Sequence, residues 1–315
     1  MKKIIGFLKL IRFVNLLFIA FTQYVFYHFV VVPVYMEEQL HQPVLDEHNM
    51  YLIILASVSI AAGGYIINDY FDVNIDLINK PNRTLVGTII KRRTAILLHL
   101  FFSLLGIVLT GYVAFQINQS AILIINVICV IALWYYSTTL KKKLFYGNVL
   151  ISLMTAWVVL ILYVCEIKLV SVHTISAEFT ATLIIYKYAI LYGGFAFLVS
   201  LLREIVKDME DIEGDRLNSC HTLPIAWGIP ITKMILNALI LLINVLISIF
   251  SFYMLMQGGI YIAFFFFLFI LLPLFYVRKR IVKSVTSSDM HRISTIVKFI
   301  LLAGICSMIF FKISI

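Results

Sequence analysis

The chain has 315 residues, of which 62% are hydrophobic and 13% charged, and its mean hydropathy is +1.02. Soluble globular domains have about 45–50% apolar and about 25% charged residues. The composition therefore excludes a soluble enzyme, a disordered chain and a nucleic-acid-binding domain. The net charge of +9 has a simpler cause in a membrane protein, whose cytoplasmic loops are rich in Lys and Arg. We expect membrane lipid around the chain and no nucleic-acid partner.

Nine apolar runs are long enough to cross a bilayer, which requires about 20 residues each. In chain order they predict membrane helices over residues 11–32, 51–71, 95–116, 119–139, 145–165, 184–206, 231–253, 258–277 and 295–313. The sequence lacks the period-two alternation of a membrane β-barrel. We expect Pro33, Pro230 and Pro273 at the ends of spans, because proline can stop or start a helix. The predicted fold is an all-α integral membrane protein with residues 1–315 in one domain.

The basic residues predict the orientation of these helices. All but three of the 25 Lys and Arg residues lie at the N-terminus, in alternate segments between spans, or near the span ends that adjoin these segments. The exceptions are Lys168, Lys187 and Lys312. By the positive-inside rule, the N-terminus and the basic loops are cytoplasmic and the C-terminus lies outside, in the cytoplasmic membrane of a cell. Only an odd number of spans gives this bias.

Two acidic segments follow the second and sixth predicted spans. Residues 68–76 read Asn-Asp-Tyr-Phe-Asp-Val-Asn-Ile-Asp, and residues 207–215 read Lys-Asp-Met-Glu-Asp-Ile-Glu-Gly-Asp. Both place Asp at positions i, i+3 and i+7, which share one face of a helix. The shared spacing indicates an internal duplication. Because four spans separate the segments, both helices run in the same direction, as a parallel repeat requires.

The chemistry of these segments predicts a metal site. Carboxylates repel one another and are costly near lipid, so a cation must lie between them. Oxygen ligands without His or Cys favour a hard cation, Mg²⁺ above Mn²⁺ or Ca²⁺. Mg²⁺ commonly completes its shell with phosphate oxygens of a substrate. If the two acidic stripes face each other, they predict Mg²⁺ ions, two in number, that bridge a phosphorylated substrate.

Basic residues near the acidic segments suit a phosphorylated substrate. Arg binds phosphate through two parallel hydrogen bonds, whereas Lys acts as a point charge. The predicted phosphate-binding residues are Arg83, Lys142, Arg203 and Lys207. A metal-bound diphosphate is a good leaving group, and an allylic carbon leaves a stabilised cation behind. An apolar bundle suits the rest of such a substrate, because each buried CH₂ contributes about 0.8 kcal/mol.

The motifs resemble those of a known family. Asn68-Asp69-x-x-Asp72-x-x-x-Asp76 resembles the first signature of the UbiA superfamily of membrane prenyltransferases, and Asp208 followed by Asp211-x-x-x-Asp215 resembles the second. Other stretches that resemble family positions are Arg12 with Asn15, residues 80–87, residues 136–142 and Asn148. The resemblance covers nearly the whole chain.

The resemblance implies nine helices in a single bundle around a central cavity that opens laterally to lipid. It also implies Mg²⁺-dependent transfer of a prenyl group from a polyprenyl diphosphate. By motif position, the metal and diphosphate ligands would be Asn68, Asp72, Asp76, Asp208, Asp211 and Asp215. Arg83, Lys142, Arg203 and Lys207 would hold phosphate, and Asn15 would contact substrate. Asp69 or Asp76 could alternatively be the base for the acceptor or fix Arg83, and these roles stay open.

The acceptor has several candidates. Residues 203–215 most resemble the branch that transfers a geranylgeranyl group to geranylgeranylglyceryl phosphate, and a phosphate on the acceptor would suit the surplus of basic residues. A quinone-type aromatic acceptor, such as hydroxybenzoate or dihydroxynaphthoate, and haem or chlorophyllide are the alternatives. A divalent-cation transporter also fits parallel repeats with intramembrane carboxylates. Transporter sites, however, lie near mid-bilayer, whereas these carboxylates lie at cytoplasmic helix ends.

Overall fold

A computed structural model describes residues 2–73, 84–167 and 177–310 of the chain. Within these ranges the regular elements are helices, apart from one isolated β-bridge between Val86 and Ile90. Nine of the described helices are long and apolar enough to cross a membrane. The prediction of an all-α membrane protein with nine spans is therefore confirmed.

We number the helices in chain order. They are α1 (Lys2–Leu10), α2 (Phe13–Glu37), α3 (Glu47–Phe71), α4 (Arg92–Gln116), α5 (Ser120–Thr138), α6 (Tyr146–Glu166), α7 (Ala177–Glu210), α8 (Ile212–Leu217), α9 (Leu223–Ala226), α10 (Gly228–Met256), α11 (Ile260–Lys283) and α12 (Ser287–Phe310). The membrane helices are all of these except α1, α8 and α9. Helix α7 extends beyond the apolar run at both ends, because charged residues continue the helix where it leaves the lipid.

Two membrane helices contain a π-helical turn shortly before a proline. The turns are Tyr27–Val31 in α2 and Phe267–Leu271 in α11. Proline lacks an N–H, and its ring collides with the carbonyl four residues earlier. The wider turn, whose hydrogen bonds span five residues, accommodates that misfit without ending the helix. The expectation that Pro273 ends a span is therefore wrong, since it lies well inside α11.

Contacts within the chain divide it into two compact units. The first consists of Met1–Lys141 and Val158–Tyr188, and the second of Lys142–Trp157 and Ala189–Ile315. Each unit contains one of the two acidic segments, which is the distribution that an internal duplication predicts. The assignment of residues 1–315 to one domain stays a prediction.

In the first unit, helices α3 and α4 approach each other closely. A Cβ atom added to Gly63 of α3 would lie 2.8 Å from Oγ of Ser103 on α4. Small residues allow such close backbone contact in membrane helices. A buried cluster that includes Leu10, Ile66 and Ala95 packs where α3 leads into the first acidic segment. This packing fixes the end of α3 that carries the acidic side chains.

In the second unit, helices α7 and α12 pack in antiparallel register. Later residues of α7 contact earlier residues of α12, as helices that run in opposite directions do. The contacts are Tyr192 OH with Ser307 Oγ at 3.5 Å, the Phe195 ring beside Gly304, and Glu210 Oε1 with His291 Nδ1 at 2.9 Å. A capping box formed by Thr286 and Asp289 starts α12 at the Glu210 end. The two helices thus contact each other from their middle to the second acidic segment.

Candidate active site

Asp72 is the buried carboxylate of the first acidic segment. It follows the last residue of α3, and its backbone N–H donates to the carbonyl of Asn68 at 3.0 Å. The Asn68 side-chain amide donates to Asp72 Oδ2 at 2.6 Å, and the Lys141 ammonium group also pairs with this oxygen. An amide and a cation therefore meet the negative charge of Asp72 in a site that is shielded from water.

Lys141 contacts a motif carboxylate, although the sequence did not single it out among its neighbouring lysines. The sequence favoured Lys142 as a phosphate ligand, but Lys141 makes the ion pair with Asp72. Both lysines belong to a short 3₁₀ turn, Leu140–Lys142. In the second unit, the Lys142 carbonyl accepts a hydrogen bond from the backbone N–H of His221 at 2.8 Å. This bond connects Lys142 to the segment after the second acidic motif.

Asp69 pairs with a residue more than fifty positions earlier. Its Oδ1 accepts a hydrogen bond from Arg12 Nη2 at 2.9 Å, and the guanidinium carbon lies 4.9 Å from the centre of the Tyr65 ring. Burial is the largest single influence and lowers the pKa of Arg12. The charges of Asp69, Tyr65 and Asp72 and the hydrogen bond to Asp69 together outweigh it, so the net direction is upward. The sequence left Asp69 open as a base or a partner of Arg83. Among the described residues, its ion-pair partner is Arg12.

The second acidic segment carries a similar amide–carboxylate pair. Asn148, in the first turn of α6, donates from Nδ2 to Asp208 Oδ2 at 2.8 Å. Asn148 is buried. Asn68 and Asn148 thus each hold one oxygen of a motif carboxylate, in the first and second unit respectively. An amide in this position restricts the side-chain rotamer of the acid.

A bend at Asp211 separates α7 from α8 within the second segment. Asp208 lies on α7, Asp211 at the bend, and Asp215 on α8, where it is buried. The backbone N–H groups of Asp211 and Asp215 still donate to carbonyls four residues earlier, at 2.9 and 3.1 Å. The helical spacing of the three acids survives the bend. Negative charge at a helix C-terminus is unfavourable, which explains why α7 ends among these acids.

Arg203 and Lys207 share one carboxylate. Arg203 Nη1 and Lys207 Nζ both donate to Glu204 Oε1, at 3.1 and 2.8 Å. The sequence named both cations as phosphate ligands but not Glu204. Arg203 Nε is buried and has no hydrogen-bond partner among the residues that the structure describes. One donor of this guanidinium is therefore available to a ligand.

Two predicted site residues, Asp76 and Arg83, lie outside the described residues. Asn15 lies in the first turn of α2, where its backbone N–H donates to the carbonyl of Arg12 at 2.7 Å. Arg12 has a left-handed backbone conformation with φ of 51°, which turns the chain from α1 into α2. The turn brings the Arg12 side chain to Asp69 and places Asn15 one helical turn further along.

The described donors fit a hard cation. They are carboxylate and amide oxygens, which Mg²⁺ and Ca²⁺ prefer. Asp72 already holds a cation, the Lys141 ammonium group. In the described parts of the chain, no three His, Cys, Asp or Glu side chains converge as a metal cluster. The carboxylate and amide donors suit Mg²⁺, which commonly takes one or two carboxylates and draws its other ligands from water and phosphate.

The fold and the acidic segments define a class of protein: a polytopic membrane protein with carboxylates and cations gathered after two of its helices. The model of the UbiA prenyltransferase family matches residues 16–302, a range that contains both segments. The chain belongs to the UbiA prenyltransferase family, and the resemblance identified from the motifs is confirmed.

Curated relatives of the chain carry a more specific name. A digeranylgeranylglyceryl phosphate synthase from Methanosphaera stadtmanae is 36% identical over 181 residues, which cover 56% of this chain and 58% of that protein. A synthase of the same name from Sulfurisphaera tokodaii is 38% identical over 192 residues, which cover 60% of this chain and 62% of that protein. The chain thus spans about 60% of the length of these relatives.

Solved structures share the fold over nearly the whole chain. A structure of a digeranylgeranylglyceryl phosphate synthase in membranes aligns with a TM-score of 0.61 and 26% identity, covering 98% of this chain and 99% of that one. A UbiA homologue from Archaeoglobus fulgidus, bound to DMAPP and Mg²⁺, aligns with a TM-score of 0.58 and 17% identity, covering 96% and 99%. The prediction of a UbiA-like fold is confirmed.

Proposed function

We propose that the chain is a Mg²⁺-dependent membrane prenyltransferase that moves a geranylgeranyl group from its diphosphate to geranylgeranylglyceryl phosphate. The observation that carries this proposal is the pair of motif carboxylates held by amides, Asp72 by Asn68 and Asp208 by Asn148. The family match and the names of the relatives support the same reaction class.

In the proposed reaction the allylic C–O bond of the donor breaks and its electron pair leaves with the diphosphate. The hydroxyl oxygen of the acceptor forms the new ether bond to the allylic carbon, and its proton passes to the released diphosphate. The metal supplies positive charge that neutralises the leaving diphosphate. Among the described residues, the metal ligands we propose are Asn68, Asp72, Asp208, Asp211 and Asp215. Asp76 completes this set in the sequence motif, and we propose two ions.

The protein side chains prepare the site for that charge. Lys141 neutralises Asp72 before a metal binds, and Arg12 holds Asp69. The amides of Asn68 and Asn148 orient one oxygen of each acid, so the acids do not have to reorganise when a ligand arrives. Preorganised groups of this kind are the largest electrostatic contribution to catalysis. The apolar membrane helices provide the surroundings that a prenyl chain requires.

The distribution of basic residues supports a cytoplasmic location for the acidic segments. Because nearly all Lys and Arg residues lie in alternate segments, we propose that the N-terminus and the acidic segments face the cytoplasm and the C-terminus faces outside. The membrane would then be the cytoplasmic membrane of a cell. A soluble diphosphate head group and a lipid chain can both reach such a position.

A transfer assay tests the proposed function. Purified chain receives radiolabelled geranylgeranyl diphosphate and Mg²⁺, with geranylgeranylglyceryl phosphate and 4-hydroxybenzoate offered in parallel. We expect product on the glyceryl phosphate only, and loss of product with EDTA or in the Asp72→Asn and Asp208→Asn variants. Glu37→Gln, which changes an exposed carboxylate at the other end of α2, is the matched control and keeps activity.

The other outcomes separate the alternatives. Product on the aromatic acid alone would retain the chemistry and overturn the proposed acceptor. No product with either acceptor, from protein that unfolds cooperatively, would overturn the proposed function. Full activity in EDTA would overturn the role of the metal.

A further inference from the structure

Lys298 is a charged residue in an unexpected position. It is the only acidic or basic residue of α12 beyond Arg292. It lies eleven residues after the start of α12, which corresponds to about 16 Å along the helix. Charged side chains inside membrane helices are costly and usually functional. Lys298 is the fourth residue of the predicted span 295–313, about one helical turn inside the apolar run, and it does not lie in a loop.

The register of α7 and α12 places Lys298 opposite Arg203. Two contacts between the helices bracket this pair. Glu210 contacts His291 nearer one end of the helices, and Phe195 contacts Gly304 nearer the other end. The charges of Arg203 and Lys298 interact and repel each other. Two like charges held together between packed helices form a site that favours an anion.

The guanidinium of Arg203 provides an unused donor at this site. Its Nη1 donates to Glu204, whereas its buried Nε has no partner in the described parts of the chain. A buried donor without a partner costs free energy unless a ligand satisfies it. Lys207, one turn further along α7, also donates to Glu204. Glu204 thus holds both cations in place and leaves the Nε donor to a ligand.

Arg203 lies on a different face of α7 from Asp208, the motif carboxylate that Asn148 holds. Five residues separate Arg203 from Asp208, which gives a rotation of about 140° and a rise of about 7.5 Å. Asp208 contacts Asn148 of α6, whereas Arg203 lies opposite Lys298 of α12. Arg203 and Lys298 therefore form a second binding position along α7. It is deeper in the membrane than Asp208 by about one and a half helical turns.

We propose that Arg203 and Lys298, with Lys207 beside them, bind the phosphate group of the acceptor. This inference rests on the proposed function, because it assigns the second substrate of that reaction to its own position. The diphosphate of the donor is met by carboxylates through the metal. A phosphate monoester on the acceptor would compete for that metal unless separate cations bind it directly, and these residues supply them. Arg and Lys are the usual direct ligands of phosphate.

Steady-state kinetics of the full chain test the inference. In the Lys298→Gln variant we expect the KM for geranylgeranylglyceryl phosphate to rise about tenfold, the loss of one charge-assisted contact. The KM for geranylgeranyl diphosphate and kcat stay within twofold. Lys298→Arg restores the acceptor KM. Arg292→Gln removes the same charge from an exposed position on α12 and leaves all constants unchanged.

A second substrate separates phosphate binding from a general effect. Geranylgeranylglycerol lacks the phosphate, so its turnover is the same in wild type and Lys298→Gln if the inference is right. An increase in the KM of the donor, or equal losses for both acceptors, would overturn it. If Lys298→Gln does not fold, Arg203→Gln tests the same site with the same expected changes.

Equilibrium binding keeps this test distinct from that of the proposed function. Calorimetric titration with geranylgeranylglyceryl phosphate, without donor, compares wild type with Lys298→Gln. Equal affinities would overturn the inference even if transfer occurs. Weaker binding by the variant, together with no transfer by wild type, would support the phosphate site and overturn only the proposed reaction.

Discussion

Replacing Lys141 with Met tests whether Asp72 is organised to hold a cation. The Asp72 side chain is 5% exposed and the Lys141 side chain 27%. Removing one partner of a buried ion pair costs about 3–5 kcal/mol, because the remaining charge is buried without compensation. Since Lys141 is partly exposed, we expect a loss at the lower end, about 3 kcal/mol, when the metal is chelated.

Added Mg²⁺ then reverses most of this loss. A ligand at one hundred times its dissociation constant stabilises the folded state by about 2.7 kcal/mol. In the wild type the metal competes with the ammonium group for Asp72 and stabilises less. In Lys141→Met the metal meets an unoccupied carboxylate. We therefore expect Mg²⁺ to raise the melting temperature of the variant by several degrees more than that of the wild type.

The assay is thermal denaturation in detergent, with EDTA and then with increasing Mg²⁺. Lys142→Met is the matched control, because no ion pair of Lys142 lies in the described parts of the chain. This control melts at the wild-type temperature in EDTA. Equal melting temperatures for Lys141→Met and wild type in EDTA, with equal shifts in Mg²⁺, would refute the reasoning.

Three further predictions concern packing and orientation. Gly304→Ala forces a methyl group against a phenylalanine ring of α7 and lowers the free energy of unfolding by about 1–3 kcal/mol. Gly194→Ala, with open space beside it, is the control and does not lower it. The reverse order of melting temperatures would contradict the packing. In a double-mutant cycle, Arg12→Met and Asp69→Asn give a coupling of about 1 kcal/mol, and additive effects would exclude the ion pair. Asn148→Ala lowers the Mg²⁺ affinity about tenfold, as loss of a group that orients a ligand does; an unchanged affinity in calorimetric titration would contradict this role.

Hydropathy and motif spacing predicted much of the fold. Nine spans, their order and the family follow from apolar runs of about 20 residues and from two acidic repeats. The ends of the helices were less accurate. The predicted sixth span ended at residue 206, whereas α7 continues to Glu210, because hydropathy detects the part of a helix in lipid and not its polar end.

The partners of the acidic residues could not be derived from local patterns. Arg12 and Lys141 lie 57 and 69 positions from the acids they contact, so tertiary packing decides these pairs. In the run of three lysines at 141–143, neighbours differ by about 100° in direction if helical, and the sequence does not distinguish which one faces Asp72. The roles predicted for Asp76 and Arg83 stay predictions.

One overlooked signal was available in the sequence. Lys298 lies inside the predicted span 295–313, where a charge requires a reason. Grouped with the cytoplasmic basic residues, Lys298 did not stand out as a charge inside a span. Glu204, which orders two cations, gave no comparable signal, because it lies among other charged residues at the end of a predicted span.

Binding of the donor diphosphate shows most directly whether each acidic segment is required to bind it with Mg²⁺. Calorimetric titration of geranylgeranyl diphosphate into wild type, Asp72→Asn and Asp208→Asn, each with Mg²⁺ and with EDTA, measures this without acceptor or turnover. The account predicts tight binding only for wild type with Mg²⁺, and a loss of about tenfold or more in either variant. Equally tight binding in EDTA, or in both variants with Mg²⁺, would contradict it.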